Sequence, residues 1–439
     1  MGSLLIQGGR ILDPASGLDA TGDVLVVDDR VAAIETKGAI RVPSDVPPPE
    51  RIDAEGRLVC PGLLDIHVHL REPGGEHKES LETGTAAAAA GGFTTVCCMP
   101  NTRPALDNPT LVEFVQLKAD RLAHSRVFVV AAATVGRQGE QLAPIGSMAA
   151  SGAVGFSDDG DVVASAGMML KVLQACRAAD RPFMQHCQEP TLSAGGVMNA
   201  GPLATRLGLR GWPRLAEELV IERDIRLNRG IGCAYHVQHL SSGGSVALVR
   251  AARERGEPVT AEVSPHHLLL TEEACVGYDT NAKMNPPLRA SDDIRQLKEG
   301  VADGTITVLA TDHAPHAVHE KAVDFDSAAF GIVGVECALP LYRRALVDDG
   351  VIDWLRMIAM MTIEPARLVG LDRQGLGRLA VGGPADITVV DPELEWTVRA
   401  DRFHSMGRNC PFHGWTVRGR AVETIVRGRR VWSESLDRS

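Results

Sequence analysis

Five positions in this chain have the types and spacing of metal ligands: His67, His69, His186, His239 and Asp312. His67 and His69 are one residue apart. On a strand, residues i and i+2 point to one side, so a single metal can take both imidazoles. Asp312 closes the run Leu309-Ala310-Thr311-Asp312. A carboxylate there can touch a metal and its bound water together. His186 and His239 end two further apolar runs and together can hold a second metal. A pair of metals needs a bridging anion to offset their repulsion. Ser157-Asp158-Asp159-Gly160 offers two candidates, and the residue types do not choose between them. His236, three residues before His239, falls on the opposite strand face and reads as structural. His266 and His267 fit hydrogen-bonding or helix-entry roles as well as catalysis.

These side chains need a scaffold that brings them together over more than two hundred residues. Eight short apolar runs read as strands: 62–68, 94–99, 126–133, 153–156, 182–185, 234–237, 259–263 and 307–310. Longer Ala/Leu/Glu/Arg stretches of helical composition separate them. That alternation is the signature of βα units and a parallel sheet. Eight units in roughly 300 residues fit a (β/α)8 TIM barrel, in which the C-terminal strand ends share one mouth. Seven of the eight runs lead into a histidine, an aspartate or, at Asn101, an amide. A doubly wound open sheet is the competing architecture, but no G-x-G-x-x-G occupies the first βα turn. The first sixty and last sixty residues read differently, as short strands broken by Gly, Asp and Pro turns.

The composition excludes several classes. The 439 residues carry 45 Lys plus Arg against 56 Asp plus Glu, a formal charge of −11, which disfavours nucleic acid as a partner. No run approaches the roughly 18 apolar residues of a membrane span. A hydrophobic share of 44% with 23% charged residues suits a folded globule. Met1-Gly2-Ser3-Leu4-Leu5-Ile6 lacks a cationic leader region, and Ile at position 6 does not fit a myristoylation signal. Nine cysteines without a C-x-x-C pair read as reduced thiols and a cytoplasmic setting. Only 17 residues are aromatic, which leaves little for stacking on bases or sugar chains.

Longer strings carry a resemblance. Pro61 to Gly74 (PGLLDIHVHLREPG), Met99-Pro100-Asn101-Thr102, the Asp158-Asp159 string, Asn285-Pro286-Pro287-Leu288-Arg289, Thr311 to His316 (TDHAPH) and Phe330 to Gly334 (FGIVG) are similar to motifs of the class I dihydroorotases. These form part of the cyclic amidohydrolase branch of the amidohydrolase superfamily. The likeness spans essentially the whole chain. It implies a metal-dependent hydrolase barrel over 61–370 and a small β-sandwich domain built from both termini, 1–60 and 371–439. It implies one or two zinc ions per subunit. His67, His69 and Asp312 would bind one, His186 and His239 the other, and Asp159 would bridge. Related hydantoinases and dihydropyrimidinases use a carboxylated lysine at that station, and no lysine lies nearby here.

The resemblance further implies that Arg71 and Asn101 clamp a substrate carboxylate. Asn285 and His316 would read the rest of the substrate, and Phe330 and Gly331 would meet its ring. Asp312 would be the catalytic acid and base. The reaction implied is reversible hydrolysis of dihydroorotate to N-carbamoyl-L-aspartate, a step of pyrimidine synthesis. Aspartate transcarbamoylase and further copies of the chain are the macromolecular partners that the resemblance suggests. An allantoinase-like activity would use the same fold and metals on another substrate. A non-catalytic scaffold would be expected to have lost ligands. One departure is His77, where relatives often carry Tyr.

Overall fold

The computed structural model describes residues 2–44 and 46–437. Eight parallel strands follow one another around a single sheet: Leu63–Val68, Phe93–Cys98, Arg126–Ala131, Gly155–Phe156, Phe183–Gln185, Tyr235–Val237, Val259–Val263 and Val308–Leu309. Each falls on one of the eight apolar runs. The ring closes at its C-terminal mouth, where Val68 bridges His313 and the His69 amide donates to the His313 carbonyl at 2.9 Å. The first two strands are buried at every residue, as expected where helices cover one face of a parallel sheet and the barrel interior the other.

The first βα unit shows how sequence sets this geometry. Ser80 caps helix Leu81–Ala90 by accepting from the Thr83 amide. The alanine-rich face lets the helix lie close to the barrel. Gly91 and Gly92 end it, with Gly92 at φ +90°. Gly62 opens the first strand at a point of close approach, since a Cβ there would sit 2.1 Å from Thr94 Oγ1.

The strands near the two chain ends form one mixed sheet of eight. Ser3–Asp13 pairs with Glu50–Asp53 along one half and with Leu58–Pro61 along the other, and Leu58–Pro61 pairs with Ile387–Thr397. Side chains from distant strands, among them Ile6, Val31, Ile387 and Ile425, share one apolar cluster, so the sheet bends around its own core. It docks on the barrel through hydrogen bonds to the end of the first helix. Thr424 Oγ1 donates to the Ala89 carbonyl at 2.7 Å and Thr388 Oγ1 to that of Gly92 at 2.6 Å. Arg126 pairs with Asp386 at 2.6 Å beside this contact. Among the described residues, no helix is long and apolar enough to cross a membrane.

Candidate active site

Histidines and aspartates from five strand ends meet at the barrel mouth. His67, His69 and Asp312 offer ligand atoms within 4.8 Å of one another, and so do His67, Asp159 and His239. His69 Nε2 is 3.0 Å from Asp312 Oδ1 and 3.5 Å from Asp159 Oδ2. His67 Nε2 is 3.5 Å from an oxygen of each aspartate. His186 lies alongside, with Nδ1 3.4 Å from Asp159 Oδ1 and 2.8 Å from His239 Nε2. All six side chains are buried.

The hydrogen bonds around these rings decide which nitrogens face the carboxylates. His67 Nδ1 donates to Glu262 Oε1 at 2.5 Å, which turns Nε2 towards Asp159 and Asp312. His69 Nδ1 donates to Asn101 Oδ1 at 2.8 Å, which turns its Nε2 to Asp312. His186 Nε2 donates to Gln188 Oε1 at 2.8 Å, which turns Nδ1 towards Asp159 and His239 Nε2. His67 Nε2 and His239 Nδ1 are buried with no hydrogen-bond partner among the described residues. Ring nitrogens of His67, His69 and His186 that face one or both carboxylates, with their far nitrogens held by carboxylate or amide oxygens, have the chemistry of a metal site.

Charge reinforces this arrangement. Burial opposes ionisation of Asp159 and Asp312, but the imidazoles around them outweigh it and hold both below the usual carboxylate range. Burial likewise opposes a charge on His67, while Glu262, Asp312 and Asp159 drive its pKa well above the ordinary histidine value. The two carboxylates therefore stay ionised. Three residues here, Arg71, His239 and Asp312, have positive φ (59°, 31° and 49°). Such backbone costs of order 1 kcal/mol or more each and gathers at functional sites.

A cavity of about 280 Å³ adjoins the cluster, lined in part by Arg71, Asn101, Asn285, His316, Phe330 and Gly331. The structure thus brings all six expected substrate-facing residues to one space. Several are already committed on one side. The Asn101 carbonyl is taken by His69, so its amide nitrogen is what remains for a ligand. Arg71 Nε donates to the Pro315 carbonyl at 3.1 Å. Asn285 Nδ2 donates to Gln188 Oε1 at 3.1 Å, and its own Oδ1 is buried without a partner. His316 Nε2 donates to the Phe330 carbonyl at 2.8 Å. Burial and the charges of Arg71 and Lys78 lower its pKa to about 3, so the ring is neutral.

The two neighbouring aspartates separate cleanly. Asp158 turns away from the cavity and accepts from the Ala133 and Thr134 amides, at 2.9 and 3.0 Å, and from the Thr134 hydroxyl. Asp159 alone faces the histidines. His266 and His267 are both hydrogen-bonded to Ser264, and His267 also reaches the Pro286 carbonyl at 3.0 Å. His236 is less remote than its strand register suggested. It lies in the barrel interior with Nε2 3.0 Å from Glu262 Oε2. Glu262 and Gln188 are the contributors that sequence reasoning missed. The one available signal was a lone carboxylate within the otherwise uncharged strand Val259–Val263.

A TIM barrel with this constellation at its C-terminal mouth is a metal-dependent hydrolase of the amidohydrolase type. Residues 56–245 match the Dihydro-orotase-like family and residues 215–431 the Amidohydrolase family. A dihydroorotase of Syntrophotalea carbinolica is 48% identical over 426 residues, covering 97% of this chain and 98% of that protein. A dihydroorotase of Pelotomaculum thermopropionicum is 47% identical over 439 residues, covering 99% and 100%. Among solved structures, L-hydantoinase (dihydropyrimidinase) from Arthrobacter aurescens superposes with a TM-score of 0.87 at 27% identity, covering 99% of this chain and 97% of that one. The chain belongs to the dihydroorotase family.

Proposed function

We propose that this chain is a zinc-dependent dihydroorotase, interconverting dihydroorotate and N-carbamoyl-L-aspartate in pyrimidine synthesis. The observation that carries the reading is the buried His67 Nε2, which has no hydrogen-bond partner among the described residues and lies 3.5 Å from an oxygen of both Asp159 and Asp312, with His69, His186 and His239 alongside. His67, His69, Asp159, His186, His239 and Asp312 would hold one or two zinc ions. Zinc, when bound, would lower the pKa of a water towards about 7 and polarise the scissile carbonyl.

The protein's own residues supply the remaining steps. Arg71 presents a planar fork suited to a carboxylate, and the Asn101 amide nitrogen adds a second donor. Together they orient the ring so that its amide carbonyl lies towards Asp312. Asn285 and His316 hold the rest of the substrate, and Phe330 and Gly331 close over the ring. Asp312, kept ionised by its imidazole neighbours, accepts the proton of the attacking water at its carboxylate. It then delivers that proton to the leaving amide nitrogen as the ring opens. Ring closure runs the same transfers backwards.

The nine cysteines are all unpaired, which supports a reducing, cytoplasmic setting. Complexes with aspartate transcarbamoylase, or between copies of this chain, belong to the proposal as partners and would appear on sizing with and without that enzyme. The central experiment is zinc analysis of the purified protein with assays on dihydroorotate, allantoin and hydantoin. One to two zinc per chain and selective turnover of dihydroorotate are expected. Full activity in metal-free protein, or preference for allantoin, would overturn the reading.

A further inference from the structure

Two irregular stretches wall the substrate cavity on one side, Met284–Asn285 and Phe330–Gly331. Neither lies in a strand, so their main-chain groups have no ladder partners and must be satisfied otherwise. Lys283 links the two. Its carbonyl accepts from the Gly331 amide at 3.0 Å. Its ammonium donates to the carbonyls of Phe325 and Asp326, at 2.7 and 2.9 Å. The same Nζ sits 4.4 Å from the centre of the Phe330 ring. Lys321 secures Lys283 in turn, donating to its carbonyl at 3.3 Å and to that of Thr280 at 2.8 Å.

We propose that Lys283 is a positioning residue for catalysis, tying the 283–285 and 325–331 segments into one rigid wall against the substrate ring. The inference rests on the reading of Phe330 and Gly331 as substrate contacts. Lys283 is only 1% exposed. Withdrawing an ammonium from water is costly, and an apolar side chain of similar volume would fill the space without that cost. What the ammonium adds is direction. It provides fixed donors to two carbonyls and a cation against an aromatic face. The wall is stiff at its far end as well, where Asn409 Nδ2 donates to the Gly331 carbonyl at 2.9 Å. A Cβ on Gly331, which has φ +148°, would lie 2.7 Å from the Ala314 carbonyl oxygen, so the segment has no slack there. Lys283 governs the other end.

The test is Lys283→Met in the full-length, zinc-loaded protein, compared with wild type and with Phe330→Ala. Two measurements are made, steady-state kinetics with dihydroorotate and hydrogen exchange by mass spectrometry. For Lys283→Met, KM is expected to rise about tenfold with kcat within about threefold and zinc content unchanged. Exchange in a peptide covering 322–334 should accelerate about tenfold or more while barrel-strand peptides keep their rates. Faster exchange spread evenly over the barrel would mean a merely structural role and would overturn the proposal. So would an unchanged KM in Lys283→Met when Phe330→Ala raises it. An unchanged KM in Phe330→Ala would instead overturn the substrate assignment beneath it. If Lys283→Met does not fold, Lys283→Gln, which keeps one donor group on a shorter stem, is measured against the same two outcomes.

Discussion

Glu262 Oε1 stands 2.5 Å from Nδ1 of His67, at the base of the histidine cluster. Its other oxygen is 3.0 Å from His236 Nε2, and Oε1 also accepts from the His239 amide at 3.2 Å. One buried carboxylate therefore fixes the ring orientation of His67 and the placement of His239. Burial would raise its pKa, but the charge on His67 and the bonds from both histidines lower it to about 2. It remains ionised throughout the working pH range. Glu262→Gln keeps the shape and removes the charge. We expect zinc affinity to fall about 10- to 100-fold, measured by chelator competition, with activity largely restored at saturating zinc. Unchanged affinity would show that Glu262 only fills space.

Asp312 is the residue on which proton transfer depends. Asp312→Asn keeps an oxygen near His69 and loses the base. A positioned acid/base contributes roughly 10²–10⁴-fold in rate, so kcat should fall by that order. Zinc should be retained in part through the histidines. Measuring kcat per bound zinc separates the two effects, and a kcat within about threefold of wild type would remove Asp312 from the proton path.

Asp158 and Asp159 should fail in different ways. Asp158 satisfies two main-chain amides and a hydroxyl beside the third strand. Asp158→Ala would leave these donors unmatched, at a cost of about 2–4 kcal/mol in stability, with zinc content preserved. Asp159→Ala would instead lower zinc content, with a smaller change in the melting temperature of the metal-free protein. Thermal melts with metal analysis on both variants check the division. Loss of zinc in Asp158→Ala alone would reverse the assignment.

These contrasts also show what a sequence can reveal here. The strands were legible because a barrel strand is a short apolar run with a polar tip. The 259–263 run agrees residue for residue, while 126–133 ends two residues early in the structure. His67 and His69 were legible because period-two spacing on a strand fixes their common side. The choice between Asp158 and Asp159 was not, because adjacent carboxylates at a strand end differ only in direction. Residue type could not show that one is captured by the Thr134 turn. Glu262 was hidden for the opposite reason: its partners lie 195 and 26 residues away, and only the closed barrel brings them together. Gln188 and Lys283 act through loop geometry, which no periodicity encodes.

Asp224 gives a pH signature independent of the catalytic cluster. It is fully buried, accepting from Gln185 Nε2 and the Tyr235 hydroxyl on one oxygen, at 3.0 and 3.1 Å, and from Arg223 Nε on the other at 2.7 Å. Burial pushes its pKa from 3.8 up to about 6, against the pull of Arg223 and the other donors. Between these values the folded protein holds a proton that the unfolded chain has released. Its contribution to stability is therefore full below about pH 4, declines as pH rises towards about 6, and is flat beyond. Asp224→Asn cannot titrate and lacks this slope. The stability difference, variant minus wild type, should climb by up to about 3 kcal/mol across that window and then level off. Melting temperatures of both proteins at half-unit steps from pH 4 to 8 measure it. A constant difference would mean that Asp224 is ionised in the fold as readily as in water, and that Arg223 offsets the whole cost of its burial.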